Sequence, residues 1–233
     1  MQDCLERRII VFYDDFCIVT KYAGENAETD IPRIFEPVIK KKLGKEPEII
    51  SCPHRLDMPV GGVQIIAFTK KTFEYFTNVF SNKLARKTYF AIVEGVDFPQ
   101  KEGRIENYLV FSPEKKKAFV YDYEKRKSKK AILNYQIFAQ GDRYSYLIVE
   151  PKTGRTHQIR AQLASRGMHI KGDVKYGARR SDTIDGIRLF AYSIEMPLQK
   201  NDKNCSSYRF EAQIPVLDSL WQDFLSKYKE VEL

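Results

Sequence analysis

Pro151-Lys-Thr-Gly-Arg-Thr-His-Gln-Ile-Arg160 places Arg155, His157 and Arg160 on a turn that feeds a helix, and such a turn calls for a polyanion or a carboxylate partner. Upstream, Tyr144-Ser-Tyr-Leu-Ile-Val-Glu150 has the β-branched and aromatic content of a strand, and Pro151 with Gly154 supplies the turn that ends it. The helix is expected to start with Thr156 as N-cap, to turn Ile159, Leu163 and Ala164 toward the core, and to stop at Gly167. Arg160 then lies beside the apolar stripe with its guanidinium in a cleft between helix and sheet. A buried arginine there demands an acid.

The best candidate acid is Asp57 of His54-Arg-Leu-Asp57, a loop that leads through Gly61-Gly62 into the strand-like Val63-Gln-Ile-Ile-Ala-Phe68. A third stretch, Lys87-Thr-Tyr-Phe-Ala-Ile-Val-Glu-Gly95, reads as a strand with Tyr89, Ala91 and Val93 on one side and Phe90 and Ile92 on the other. Together with Gly172-Asp-Val-Lys-Tyr-Gly177 and Arg188-Leu-Phe-Ala191, these segments resemble the RluA family of RNA pseudouridine synthases, in order, from about Ile9 to Ile214.

The resemblance implies a mixed α+β fold: a largely antiparallel, twisted sheet flanked by helices, with a central active-site cleft. It also implies catalytic roles for Asp57, Tyr89 and Arg160, with substrate binding by Arg55, Leu189, His54, Arg155 and His157. His54 and His157 are read as hydrogen-bonding groups that shape the two motif loops. The chain departs from the family pattern at Val19-Thr-Lys21-Tyr-Ala, where Asn-Lys-Pro is usual. It also departs at Phe190, at Ala161-Gln162 and in Met58-Pro-Val-Gly after the aspartate. These are supporting positions, and Asp57, Tyr89 and Arg160 stay intact.

Pseudouridine formation breaks the N1–C1′ bond of uridine, turns the captive uracil and rejoins it to C1′ through C5. A carboxylate serves either as the nucleophile at C1′ or as the base that removes the C2′ proton. An arginine paired with it would hold it ionised and oriented. The resemblance places uracil on the Tyr89 ring and Leu189 on the other wall, while Arg55 enters the stack that the flipped base has left. No cofactor and no metal is implied. The alternative reading is a non-catalytic RNA-binding or RNA-folding protein on the same scaffold.

Composition agrees. The chain has 233 residues and a formal net charge of +8, suited to structured RNA, ribosomal or transfer, as partner. That length fits one domain or two closely packed subdomains, read as a bare catalytic domain over residues 1–233 without an N-terminal accessory RNA-binding module, and as a monomer. Cys4, Cys17, Cys52 and Cys205 lack the close spacing of a zinc site and read as free thiols. No apolar run suits a membrane span and no signal-peptide core is visible, which points to the cytoplasm.

Two short strands are expected around Asp14-Asp15, a proline-interrupted helix over Ile31 to Leu43, and a helix over Thr72 to Leu84 whose Phe73, Phe76, Phe80 and Leu84 share a core face. The lysine-rich run from Lys115 to Lys130 reads as a hairpin, either a solvated face or an RNA-backbone clamp. It leads into the strand-like Ala131 to Phe138.

Overall fold

Ten strands form among the residues that the computed structural model describes, 5–198, 207–215 and 217–232. The chain condenses into two compact units, one from Met1–Lys87 with Ala191–Gln213, the other from Thr88–Phe190 with Ile214–Leu233. Helices accompany strands that pair antiparallel wherever their register is defined, an α+β fold as expected.

In the first unit β1 (Ile9–Phe12) and β2 (Phe16–Lys21) form the expected pair around Asp14-Asp15. β2 then pairs with β3 (Gly61–Ala67), and β9 (Leu189–Met196) and β10 (Tyr208–Glu211) follow in order. Helix α1 (Asp30–Leu43) opens where Asn26 Oδ1 accepts the N–H groups of Glu28 and Thr29, and closes at Gly44, whose φ of 66° suits glycine. It runs unbroken through Pro37, and Ile31, Phe35 and Ile39 pack with Cys17, Val19, Ile66 and Phe68.

Helix α2 (Lys70–Ser81) is shorter than expected. The Thr69 hydroxyl caps Thr72 N–H at 3.1 Å, and the buried face is Thr72, Phe76 and Val79. Leu84 lies past the helix end and is 58% exposed, so it is no core residue. A glycine is required at Gly62, where φ is +131° and a Cβ would meet the Ala191 carbonyl oxygen.

The second unit orders its strands β4 (Arg86–Glu94), β8 (Tyr144–Pro151), β7 (Lys129–Gln140), β5 (Glu102–Ser112) and β6 (Lys117–Tyr121). The Lys115 to Lys130 run is therefore not a hairpin by itself: β6 pairs with one side of β5 and β7 with the other. The tight connection is at Ser112, whose Oγ accepts Lys115 N–H, and it fixes β5 rather than β7 as the neighbour of β6.

Helix α3 (Gln158–Ala164) follows β8, and helix α4 (Ser219–Glu232) closes the described chain. α4 buries Trp221, Phe224 and Tyr228 at helical spacing, with Phe224 and Tyr228 against Phe90 and Phe138. Of the four cysteines, Cys17 and Cys52 are free thiols, and Cys4 and Cys205 lie outside the described residues.

Candidate active site

Asp57 sits half-buried in the loop that enters β3, between buried Leu56 and exposed Met58. The loop is fixed through its backbone. Val60 N–H donates to Asp57 O at 2.9 Å and Gly24 N–H to Met58 O at 2.8 Å. Lys21 supplies the rest. Its side chain is fully buried, and Nζ donates to the carbonyls of Val60 at 2.8 Å, Tyr22 at 3.0 Å, Met58 at 3.2 Å and Asp57 at 3.4 Å.

Burial lowers the Lys21 ammonium pKa to about 8, with Glu25 and Asp57 pulling the other way. Tyr22, standing where proline is usual in the family, carries the Arg8 guanidinium 3.9 Å over its ring, and Arg8 forks onto Glu25 at 2.9 and 2.6 Å. This departure thus has a built replacement.

His54 holds the same loop to β3. Its Nε2 accepts Ile65 N–H at 3.1 Å, its carbonyl accepts Gln64 Nε2 at 2.7 Å, and its ring lies 4.6 Å from that of Phe80. Burial, helped by Lys87, lowers its pKa to about 3, so the imidazole stays neutral at physiological pH. Arg55 differs. It is 59% exposed and meets Glu28 at 3.3 Å, a surface pair.

In the second unit the Gly-Arg-Thr-His-Gln-Ile-Arg turn is tied by Gln158. Its Oε1 accepts from Thr153 Oγ1 at 2.7 Å and Arg155 N–H at 3.0 Å, and its Nε2 donates to Ile132 O at 2.9 Å. Thr156 is not the N-cap. That place falls to His157, in the left-handed region at φ 55°. The Gln158 side chain, in place of a Thr156 cap, bonds the N–H of Arg155. Arg155 Nε donates to Lys130 O at 3.0 Å.

Arg160 is 5% exposed, and an acid does meet it. Asp173 takes its Nε at 2.7 Å and its Nη2 at 2.8 Å in a bidentate fork, and the Tyr176 ring lies 5.0 Å from the guanidinium carbon. Tyr176 Oη lies 2.9 Å from His157 Nδ1 and accepts Ala118 N–H at 2.7 Å, so one phenol joins α3 to β6. Asp173 and Tyr176 were missed as partners of Arg160. The signal was there: both lie in Gly172-Asp-Val-Lys-Tyr-Gly177, where Gly172 and Gly177 have positive φ and bound a short 3-10 helix, Val174–Tyr176.

Tyr89 is half-buried in β4, opposite Val149 of β8. Leu189 is buried and begins β9 just after Arg188, which is buried and grips two carboxylates. Arg188 Nε donates to Asp182 at 2.6 Å and Nη1 to Asp218 at 2.8 Å, while Lys171 Nζ lies 2.8 Å from Asp182. Burial works against ionised Asp182, but Arg188 and Lys171 outweigh it and hold the carboxyl well below the usual range. Among the described residues no three His, Cys, Asp or Glu side chains are grouped as a metal site.

The RNA pseudouridylate synthase family model matches residues 17–165, more than half of the chain. The chain belongs to this family. Membership bears out the RluA-type resemblance read from the motifs and favours an enzyme over the non-catalytic alternative.

Within the family, the chain is 34% identical over 154 residues to ribosomal large subunit pseudouridine synthase D of Borreliella burgdorferi, covering 64% of this chain and 45% of that protein. It is 27% identical to tRNA pseudouridine synthase C of Vibrio cholerae, over 75% of each. The chain thus spans less than half the length of the first of these relatives. The fold matches the structure of human RNA pseudouridylate synthase domain containing 4 at a TM-score of 0.76 and 20% identity, covering 98% of this chain and 95% of that one. No described helix is long and apolar enough to cross a membrane.

Proposed function

We propose that this chain isomerises uridine to pseudouridine in structured RNA, with Asp57 as the catalytic residue. The observation that carries the reading is the Asp57 loop: a half-buried carboxylate on a turn whose backbone carbonyls are gathered by one buried lysine, within a segment that matches the family model. A carboxylate held this way keeps its position while a glycosidic bond is broken beside it.

Asp57 attacks C1′ or takes the C2′ proton as N1–C1′ breaks. The C5–C1′ bond then forms as the Asp57–C1′ ester bond breaks, or as C2′ regains its proton from Asp57; the C5 proton leaves to solvent, and N1 gains a proton. As the resemblance implies, Arg160, itself held by the Asp173 fork, orients the Asp57 carboxylate, Tyr89 carries the uracil ring and Leu189 closes the pocket. Arg55 fills the gap left by the flipped base, and its exposed pair with Glu28 is weak enough, about 0–1 kcal/mol, to be exchanged for that contact. His54, Arg155 and His157 shape the substrate-binding loops. The substrate is a ribosomal or transfer RNA, met by a monomer in the cytoplasm; the names of relatives in both classes support that choice of RNA.

The test is Asp57→Asn. The amide is nearly isosteric but neither attacks C1′ nor takes a proton, so tritium release from 5-labelled uridine RNA should fall by orders of magnitude while filter-binding affinity changes little. Substantial residual turnover would sink the assignment. Pseudouridine mapping in cells with and without the gene then identifies the RNA.

A further inference from the structure

The roles proposed above leave unused two rings, half-buried Tyr121 at the end of β6 and exposed Tyr123 just beyond it. Tyr123 is 62% exposed. The Tyr121 ring lies 6.4 Å from it at 62°, and Lys125 Nζ serves both, 4.0 Å from the Tyr121 centroid and 5.5 Å from that of Tyr123. The turn next to them is built. Ser128 Oγ accepts Lys125 N–H at 2.9 Å and donates to Lys125 O at 2.7 Å, and Ser128 N–H donates to the same carbonyl at 2.9 Å. Lys127, in the left-handed region at φ 65°, accepts backbone strain to close it.

One exposed tyrosine needs no explanation, since scattered exposed rings are normal. Two rings sharing a cation, beside a side-chain-pinned turn, within Lys125-Arg-Lys-Ser-Lys-Lys130, are a different matter. Single-strand nucleic-acid grooves combine these parts: a ring on which a base stacks, and cations that follow the phosphates. We propose that Tyr123, with Tyr121 and Lys125, is a stacking site for an unpaired base of the RNA, flanked by lysines that take its phosphates.

Charge suits a phosphate backbone, and the ring selects a strand over a duplex. Between Asp122 and Lys130 five cations face two carboxylates, and Lys130 is further paired with Glu106. A ring also cannot enter an A-form helix, whose bases are already stacked. The proposal rests on the RNA reading above and deepens it, but it is measured by binding rather than by isomerisation.

The probe is an oligouridylate of about 12 nucleotides carrying one 2-aminopurine, compared with a duplex RNA of the same length. Wild type should bind the single strand and quench the 2-aminopurine. Tyr123→Ala should weaken that binding roughly 5- to 100-fold and lose the quench, leaving duplex affinity and the salt dependence of binding unchanged. Tyr123→Trp should restore affinity and quench together. Equal losses on strand and duplex, an unchanged single-strand affinity, or no quench by wild type each overturns the proposal. Thermal melts guard against misfolding: Tyr123 is exposed, so the alanine variant should melt with wild type, and if it does not, the recovery by Tyr123→Trp decides. Tritium release separates the two readings: quench without release leaves the stacking site standing and the isomerase reading failed, and release without quench does the reverse.

Discussion

At the scale of single residues, Lys21 shows how a departure from a family pattern is absorbed. Its ammonium gathers four backbone carbonyls, three of them from the Asp57 turn, and none of this needs the asparagine or proline usual on either side. Lys21→Met keeps the stem but removes the donors, so the loop loosens around the carboxylate. Turnover should fall by up to about 100-fold, the cost of a misplaced catalytic group, with a smaller change in KM. Stability answers to pH as well. With a folded pKa near 8, below the unfolded value of about 10.4, unfolding takes up a proton between those values, so stability rises with pH across that window by about 3 kcal/mol. Urea titrations over the window should show this rise in wild type and not in Lys21→Met; parallel curves would mean that the burial cost is absent.

At the scale of elements, the Arg188 clamp joins three: the segment carrying Asp182, the start of β9 and the start of α4, where Asp218 also accepts Trp221 N–H at 3.1 Å. Asp182→Asn would leave Arg188 and Lys171 without that countercharge and should cost about 3–5 kcal/mol, read as a drop in the urea midpoint. The pH sign is opposite to that of Lys21. The Asp182 and Asp218 carboxyls titrate lower in the fold than in the unfolded chain, so their contribution is complete above about pH 4 and fades as pH falls below it. Wild type should therefore lose stability on acidification more steeply than Asp182→Asn, and equal slopes would refute the clamp.

At the scale of the whole molecule, the +8 charge predicts salt-sensitive RNA binding. Lys115, Lys116 and Lys117 close the β5–β6 turn, and Lys127, Lys129 and Lys130 lead into β7, so the two sets are placed by different strand junctions. Neutralising either set should weaken binding to all RNAs alike and flatten the log–log salt slope, by up to about 0.7 for each single-strand phosphate that the variant no longer neutralises. The second set is the cleaner test, because Lys117 Nζ lies 4.9 Å from the centroid of Tyr176, whose ring also meets Arg160. An unchanged slope in both variants would mark the run as a solvated face.

What the amino-acid sequence determined by itself was local and chemical. Strand-like runs bounded by turn residues announced β1, β2, β3, β4 and β8, with alternation read only in β4, because strand content and glycine or proline turns depend on neighbours a few residues away. The motif order announced the family, and a charged Arg160 beside an apolar stripe announced that some acid must meet it. Tertiary structure decided the partners. Asp173 is only thirteen residues from Arg160, yet it had to be folded back by the Gly172 to Gly177 turn before its carboxylate could fork onto the guanidinium. Lys21 reads only as a supporting position until four carbonyls, three of them from a loop more than thirty residues away, enclose it. Likewise β6 takes β5 rather than β7, because pairing is settled by the Ser112 turn and the packing behind it, not by the lysines in between. Local propensity writes the elements; which carbonyl, carboxylate or edge each one meets depends on burial, which no short stretch of sequence contains.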